Sequence, residues 1–523
     1  MKSIITVLVF VSLVLSITTV ALGDDQEPFS IVAGPDLPNT SYGTAQPPRI
    51  HKDGVVEFAP CNPNRYKWFY FILKGVRQKR ITFRWTHTQK ANPVTVQYQS
   101  PRIFYTDRLD DDRIAYEVCD EAQIEHGDKQ TVYTFEHTFK HDTARIAYSP
   151  IFTNKHASHL LAEIKASPFG VETQHLGKSH LFNMDLTAGV ITDPAVARKD
   201  KRGVWWIARE DSYETGGSLA LAGGTRFLLS DDPVAVALRR KIIFWVLPIL
   251  SQDGVRMGHT NYPIDDKRYI YLTTQWGKPK AFPELGRVRK AMQDWKASGR
   301  DLLLFHRFHS ASYWKSYFRR YPDTELPGTR RFYLTLLQKR YMPHYKQLKR
   351  RDMPSRASYY IHQLWPEALS SATHSDFVLF PEILDTEKAM HLNNDASYQD
   401  GELFMRALAD YLKIPGADRA PPFLTGGAVT RNHARQGETV TYQAVYRDLR
   451  GKPPGKIQVV IDGQACNMKK TIGNNHARGV VYTYQTDLTG DVRGFHFVAA
   501  NEIGQRRIPC RAEYPGPFIV EDE

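Results

Sequence analysis

The chain has 523 residues, long enough for about three domains at 100–200 residues each. Hydrophobic residues make up 42% and charged residues 24%, the balance of a globular protein that buries real cores rather than of a disordered chain. The formal charge of +13 favours an acidic partner or surface, but net charge reports solubility and non-specific attraction, not fold.

The first element is N-terminal. Lys2 precedes an apolar run from Ile4 to Leu22, and small residues at Ala21 and Gly23 stand before Asp24. One positive charge, an apolar centre and small residues describe a secretory signal peptide over residues 1–23, which implies a secreted or cell-envelope protein. An uncleaved anchor is the rival reading, since the run approaches spanning length. No later segment is apolar enough to span a membrane; Lys241 to Leu250, "KIIFWVLPIL", is too short and reads as a buried strand. Four cysteines in an exported chain imply two disulfides, and proximity in sequence favours Cys61–Cys119 and Cys466–Cys510, with free thiols as the alternative.

Residues 24–153 carry short alternating runs such as "YKWFYFILKG" and "RITFRWTHT", which predict an N-terminal β-sandwich. Over 154–415, apolar strands ("GVWWIAR", "IIFWVLPIL", "DLLLFHRF") alternate with helical spacings ("SHLLAEIKA", "GRVRKAMQDWKA", "DGELFMRALADYLK"). That alternation predicts an α/β domain around a central, mixed, buried sheet. A Pro/Gly-rich linker, "IPGADRAPPFLTGG", leads to strands over 416–523 at the spacing of an immunoglobulin-like sandwich. His156 and His159 have helical spacing without a nearby carboxylate and read as surface residues.

The stretch "AREDSYETGGSLALAGGTRFLLSDDPVAVALRRKIIFWVLPILSQDGV" and the earlier "LGKSHLFNMDL" carry a resemblance. Over roughly residues 60 to 414 the chain resembles the zinc carboxypeptidase superfamily, and most closely its cytosolic-carboxypeptidase-like branch. The resemblance implies a zinc-dependent hydrolase of peptide or amide bonds. The family motif is Arg-x-His-Pro-Gly-Glu; here Arg209 opens it, Glu214 matches the family ligand and Asp211 replaces the His. Carboxylate oxygen can bind zinc, so an Asp211, Glu214 and His309 set is chemically possible, though more anionic and less nitrogen-rich than the family's. Two anionic ligands would make bound water less acidic. His309 takes the third ligand place in "LFHRFHSAS"; His306 is the alternative and points to the opposite strand face. Glu382, in "HSDFVLFPEILD", takes the place of the general base, against the plainer reading of a surface residue at a strand end.

In the family, arginines grip the substrate carboxylate. Thr273 and Thr274 stand in the places of an Asn-Arg pair, leaving Arg209, Arg256 and Arg268 as candidate substrate-binding residues. Three classes of function stay open. One is an exported zinc peptidase or amidase; another is a carboxypeptidase-like pseudoenzyme that binds peptide or glycan; the third is a surface adhesion or scaffolding protein. Thr329 to Arg356 interleaves Lys and Arg with aromatics and offers a surface for an anionic polymer, against the plainer reading of a solvated basic helix face. Nucleic acid is disfavoured by export.

Overall fold

In the computed structural model the described residues are 29–32, 48–58, 69–88, 104–106, 115–118, 123–126, 130–147, 150–259, 261–265, 268–278, 282–310, 317–320, 331–343, 346–349, 361–374 apart from 362 and 366, 392–393, 395–510 and 513–520. Residues 1–28, Cys61, Cys119 and Glu382 lie outside them.

The middle of the chain is built on an eight-stranded sheet. Its strands are β1 (Gly170–Lys178), β2 (Asp185–Ile191), β3 (Arg202–Ala208), β4 (Ile242–Leu247), β5 (Leu302–His309), β6 (Tyr317–Arg320), β7 (Lys346–Lys349) and β8 (Leu369–His374). They lie in the order β1-β2-β4-β3-β5-β8-β6-β7. The four central strands, β4, β3, β5 and β8, run parallel, while β2 and β6 join them antiparallel, so the sheet is mixed.

Helices cover the parallel centre: α1 (Asn154–Ala166), α2 (Thr215–Leu228), α3 (Pro233–Lys241), α4 (Gln252–Met257), α5 (Pro283–Ala297) and α6 (Asp395–Tyr411). Every residue of β4 and β5 is buried, as a sheet covered on both faces requires. Alternate residues then feed two cores. Val204, Trp206, Phe244 and Phe308 pack with Leu219 and Leu221 of α2 and Phe404 and Leu408 of α6. Trp205, Ile207, Trp245 and Phe305 pack with Leu285, Val288 and Met292 of α5. The stacked indoles of Trp205 and Trp245, with centroids 4.0 Å apart, tie β3 to β4.

Local chemistry sets the helix starts. Asp232 accepts the Val234 N–H at 2.8 Å ahead of Pro233, the cap and N1 proline expected of a helix start. His156 differs from its surface reading: it is 5% exposed, and its Nδ1 accepts the Thr153 N–H at 2.8 Å at the start of α1. His159 is exposed.

The residues before this domain, joined by the strand Leu392–Asn393, form a six-stranded and a five-stranded sheet that share one core. Phe71, Leu73 and Ile146 come from one sheet, Phe83, Trp85 and Phe135 from the other. After it, Thr439–Arg447 and Val480–Asp487 belong to a four-stranded sheet, and Lys456–Ile461 and Gly494–Ala500 to a five-stranded sheet. The two share a core around Tyr442, Val459, Val480 and Phe497.

The expected Cys466–Cys510 disulfide is not formed, and Cys466 is a free thiol. The strand holding Cys466 and the strand leading to Cys510 are opposite edges of the order Gln464–Asn467, Lys456–Ile461, Gly494–Ala500, Gln505–Ile508. Three interstrand steps separate them by about 14 Å, beyond the reach of a disulfide. The basic segment is helical over Arg331–Tyr341, and part of its charge is met within the chain. Arg340 pairs with Asp410 at 2.6 Å and Asp418 at 2.9 Å. Among the described residues no helix is long and apolar enough to cross a membrane.

Candidate metal centre

β3 and β5 are parallel neighbours that end at the same edge, with Ala208 paired to Phe308. The carboxyl edge of a parallel sheet is where loops converge to form sites. The turn after Ala208 therefore meets His309, the last residue of β5. Gly217 permits the close approach, because a Cβ there would lie 2.5 Å from the Phe308 carbonyl oxygen.

The turn itself is held from behind. Arg209 has a left-handed φ of 57°, and its Nε donates to Ser212 O at 2.8 Å and its Nη1 to Phe152 O at 2.6 Å. Glu214 N–H returns to Asp211 O at 3.2 Å, and Ser251 N–H binds Arg209 O at 2.9 Å. The Ser212 hydroxyl lies 2.9 Å from that of Ser251, where a Cβ on Gly254 would collide with it at 1.9 Å. Tyr213 points the other way, into a cluster with Tyr70, Ile72, Ala147 and Ile151.

These constraints bring Asp211, Glu214 and His309 together, each buried, with one donor atom from each within 4.8 Å of the others. Glu214 is the N-cap residue of α2, where the helix dipole favours a carboxylate. His309 stands between two carboxylates: its Nδ1 is 2.5 Å from Glu214 Oε2 and its Nε2 is 3.2 Å from Glu210 Oε2. Glu210 also accepts from Arg307 Nη1 at 2.9 Å and from the Trp276 indole N–H at 2.6 Å.

Burial pushes the Glu210 carboxyl up, but Arg307, His309 and Trp276 outweigh it and bring the pKa down to about 2. Burial pushes His309 down, and the two glutamates outweigh it, raising the imidazole to about 9. Two carboxylates and one imidazole, shielded from bulk water and at the same edge of the sheet, fit a divalent cation such as zinc.

The other candidates are placed differently. His306 lies on the opposite face of β5, buried 4.2 Å from the Phe404 ring and 4.4 Å from the Phe308 ring, and is a packing residue of the α6 side. The Arg209 guanidinium is wholly buried on backbone carbonyls. Arg256 is exposed and stacks 4.9 Å from the Phe182 ring; Arg268 is exposed and paired with Asp265 at 2.5 Å. Sequence reasoning missed Glu210, Arg307 and Trp276. The available signal was strand parity: Arg307 lies two residues before His309 and shares its face.

A mixed α/β sheet with two carboxylates and an imidazole buried together at its carboxyl edge is the arrangement to compare with known proteins. No family model matches the chain. The metallo-carboxypeptidase of Burkholderia cenocepacia shares the fold with a TM-score of 0.57 at 17% identity, over 74% of this chain and 99% of that one. A Pseudomonas aeruginosa metallo-carboxypeptidase gives 0.55 at 15% identity, over 73% and 99%. Among curated proteins, cytosolic carboxypeptidase 2 of Danio rerio is 27% identical over 212 residues, 37% of this chain and 29% of that protein. Cytosolic carboxypeptidase 6 of Mus musculus is 25% identical over 233 residues, 42% of each. The chain thus spans well under half the length of these curated relatives. The chain is similar in sequence to cytosolic carboxypeptidases, a branch of the zinc carboxypeptidase superfamily, and shares its fold with metallo-carboxypeptidases. These relatives correct the expectation of a secreted or cell-envelope protein, because they are cytosolic carboxypeptidases by name. An apolar N-terminal run is a compositional signal and does not by itself fix a compartment.

Proposed function

We propose that the chain is a metal-dependent hydrolase of peptide or amide bonds, with Asp211, Glu214 and His309 holding a zinc ion. The observation that carries this reading is the convergence of three buried donors at the carboxyl edge of β3 and β5. A zinc ion there would supply Lewis acidity and lower the pKa of water. The chain's own residues do the rest. Arg209 and the Ser212–Ser251 contact shape the turn that presents Asp211 and Glu214. Glu382 is the proposed base, taking a proton from the attacking water and passing it to the leaving amine. Peptide chains are the proposed substrates, in keeping with the carboxypeptidase name of the relatives, and the cytosol is the proposed place of action.

Asp211 in the family's His place belongs to the same proposal. So does the division into a 24–153 β-sandwich, a 154–415 catalytic domain and a 416–523 immunoglobulin-like module, supported by separate cores at the two ends. Elemental analysis of protein purified without chelator, alongside hydrolysis of peptides with free C-termini, tests the reading. The expected result is one divalent ion per chain, with Asp211→Ala losing at least tenfold in metal affinity and all measurable hydrolysis. A wild-type protein that takes up no zinc and hydrolyses nothing when zinc is supplied would overturn it.

A further inference from the structure

Glu210 is 1% exposed and is addressed by donors from separate parts of the chain. Oε1 accepts the indole N–H of Trp276, which follows the Leu272–Thr274 turn. Oε2 receives Arg307 Nη1 at 2.9 Å and faces His309 Nε2 at 3.2 Å. Arg307 and His309 are alternate residues of β5, so one strand face delivers both to the same oxygen. A core ion pair needs only Arg307. The approach of the same oxygen to the imidazole has a different consequence, since it leaves the opposite ring nitrogen facing Glu214 at 2.5 Å.

We propose that Glu210 is a positioning residue of the centre: by binding Nε2–H of His309 it fixes the ring with Nδ1 turned toward Asp211 and Glu214. Arg307 and Trp276 hold the carboxylate in place and keep it from turning into the site. Glu210 is thereby an orienter of a donor and not itself a donor. A carboxylate on the far nitrogen sets the tautomer, raises ligand basicity, and is worth 10–100-fold in metal affinity where such partners are removed. The proposal rests on the metal-centre reading for that last consequence, whereas the ring orientation stands on the geometry alone.

The test uses the full chain labelled with 15N-histidine, as wild type, Glu210→Gln and Trp276→Phe. One readout is the ring nitrogen signals of His309, assigned by their loss in His309→Gln. The other is the Co2+ dissociation constant from chelator competition. In folded Glu210→Gln, the Nε2–H signal of His309 is expected to move or vanish, with Co2+ affinity falling 10–100-fold. Trp276→Phe is expected to change both in the same sense by less. Unmoved ring signals in Glu210→Gln overturn the proposal, as does a fall of less than tenfold in a wild type that binds Co2+. If the wild type binds no Co2+ while Glu210→Gln still displaces the ring signals, the metal reading fails and the positioning role stands. Should Glu210→Gln not fold, unmoved ring signals in Trp276→Phe overturn the proposal.

Discussion

Arg209 occupies a backbone region that costs a non-glycine residue on the order of 1–3 kcal/mol, and its bonds to Ser212 O and Phe152 O offset that strain. The same economy of buried charge governs its neighbours. Glu210 titrates lower in the folded state than in the unfolded chain, so its stabilisation is present above about pH 4.5 and is lost as pH falls toward about 2. His309 titrates higher when folded, so its contribution is full below about pH 6.5 and is lost as pH rises through about 9. Chelator-treated wild type should therefore exceed Glu210→Gln in Tm most clearly between pH 4.5 and 6.5, and the gap should narrow on both sides. A gap independent of pH would show that the two groups are not coupled. That Asp211, Glu214 and His309 lie together was legible, the first two from their spacing in one turn and His309 from the register of the family resemblance. Glu210 was not, because its partners Trp276 and Arg307 come from positions 66 and 97 residues away.

The helix pair α2 and α6 explains how so many donors reach one sheet edge. A Cβ on Gly401 would meet Ala220 O at 1.9 Å, and one on Gly223 would meet Tyr398 O at 2.2 Å. The helices thus touch backbone to backbone, which lets α2 lie low over β5. Gly401→Ala is expected to lower unfolding free energy by about 1–3 kcal/mol in urea, the usual range for overpacking. No change in the midpoint would mean that the helices part at no cost. The strands β3, β4 and β5 were readable as unbroken apolar runs, and α1, α5 and α6 from their 3.6-residue spacing. The antiparallel β6 and the strand β7 carry no such run: "YFRR" gives no strand signal, and "KQLK" lies in the basic segment read as a helix face, where the structure has a strand.

Across the molecule, the apparent module boundaries are crossed by buried contacts. Glu402 of α6 accepts from Arg406 at 2.9 Å and from Arg506 of the C-terminal module at 2.9 Å, while Arg406 reaches Asp232 at 2.6 Å. Removing the shared acid leaves Arg406, 1% exposed, short of a partner. Glu402→Ala should cost about 3 kcal/mol and split denaturant unfolding into two steps as the C-terminal module parts first. A single transition with an unchanged midpoint would argue that the modules are held by apolar packing alone. This crossing was invisible in sequence, where the linker at 414–427 looked like a clean break; Phe423, Val445 and Val481 in fact join the core of the central domain.

Tyr213 has the same character at the other end. It belongs to the turn that presents Asp211 and Glu214, yet its ring lies among Tyr70, Ile72, Ala147 and Ile151 of the N-terminal segment. The N-terminal sheet therefore braces the turn from the side away from the donors. A change in the size of Ile72 or Ala147, far outside any ligand motif, is inherited by the angle at which two carboxylates face a histidine. Swapping in a foreign N-terminal module would have to reproduce that small apolar face before the donors could come into register.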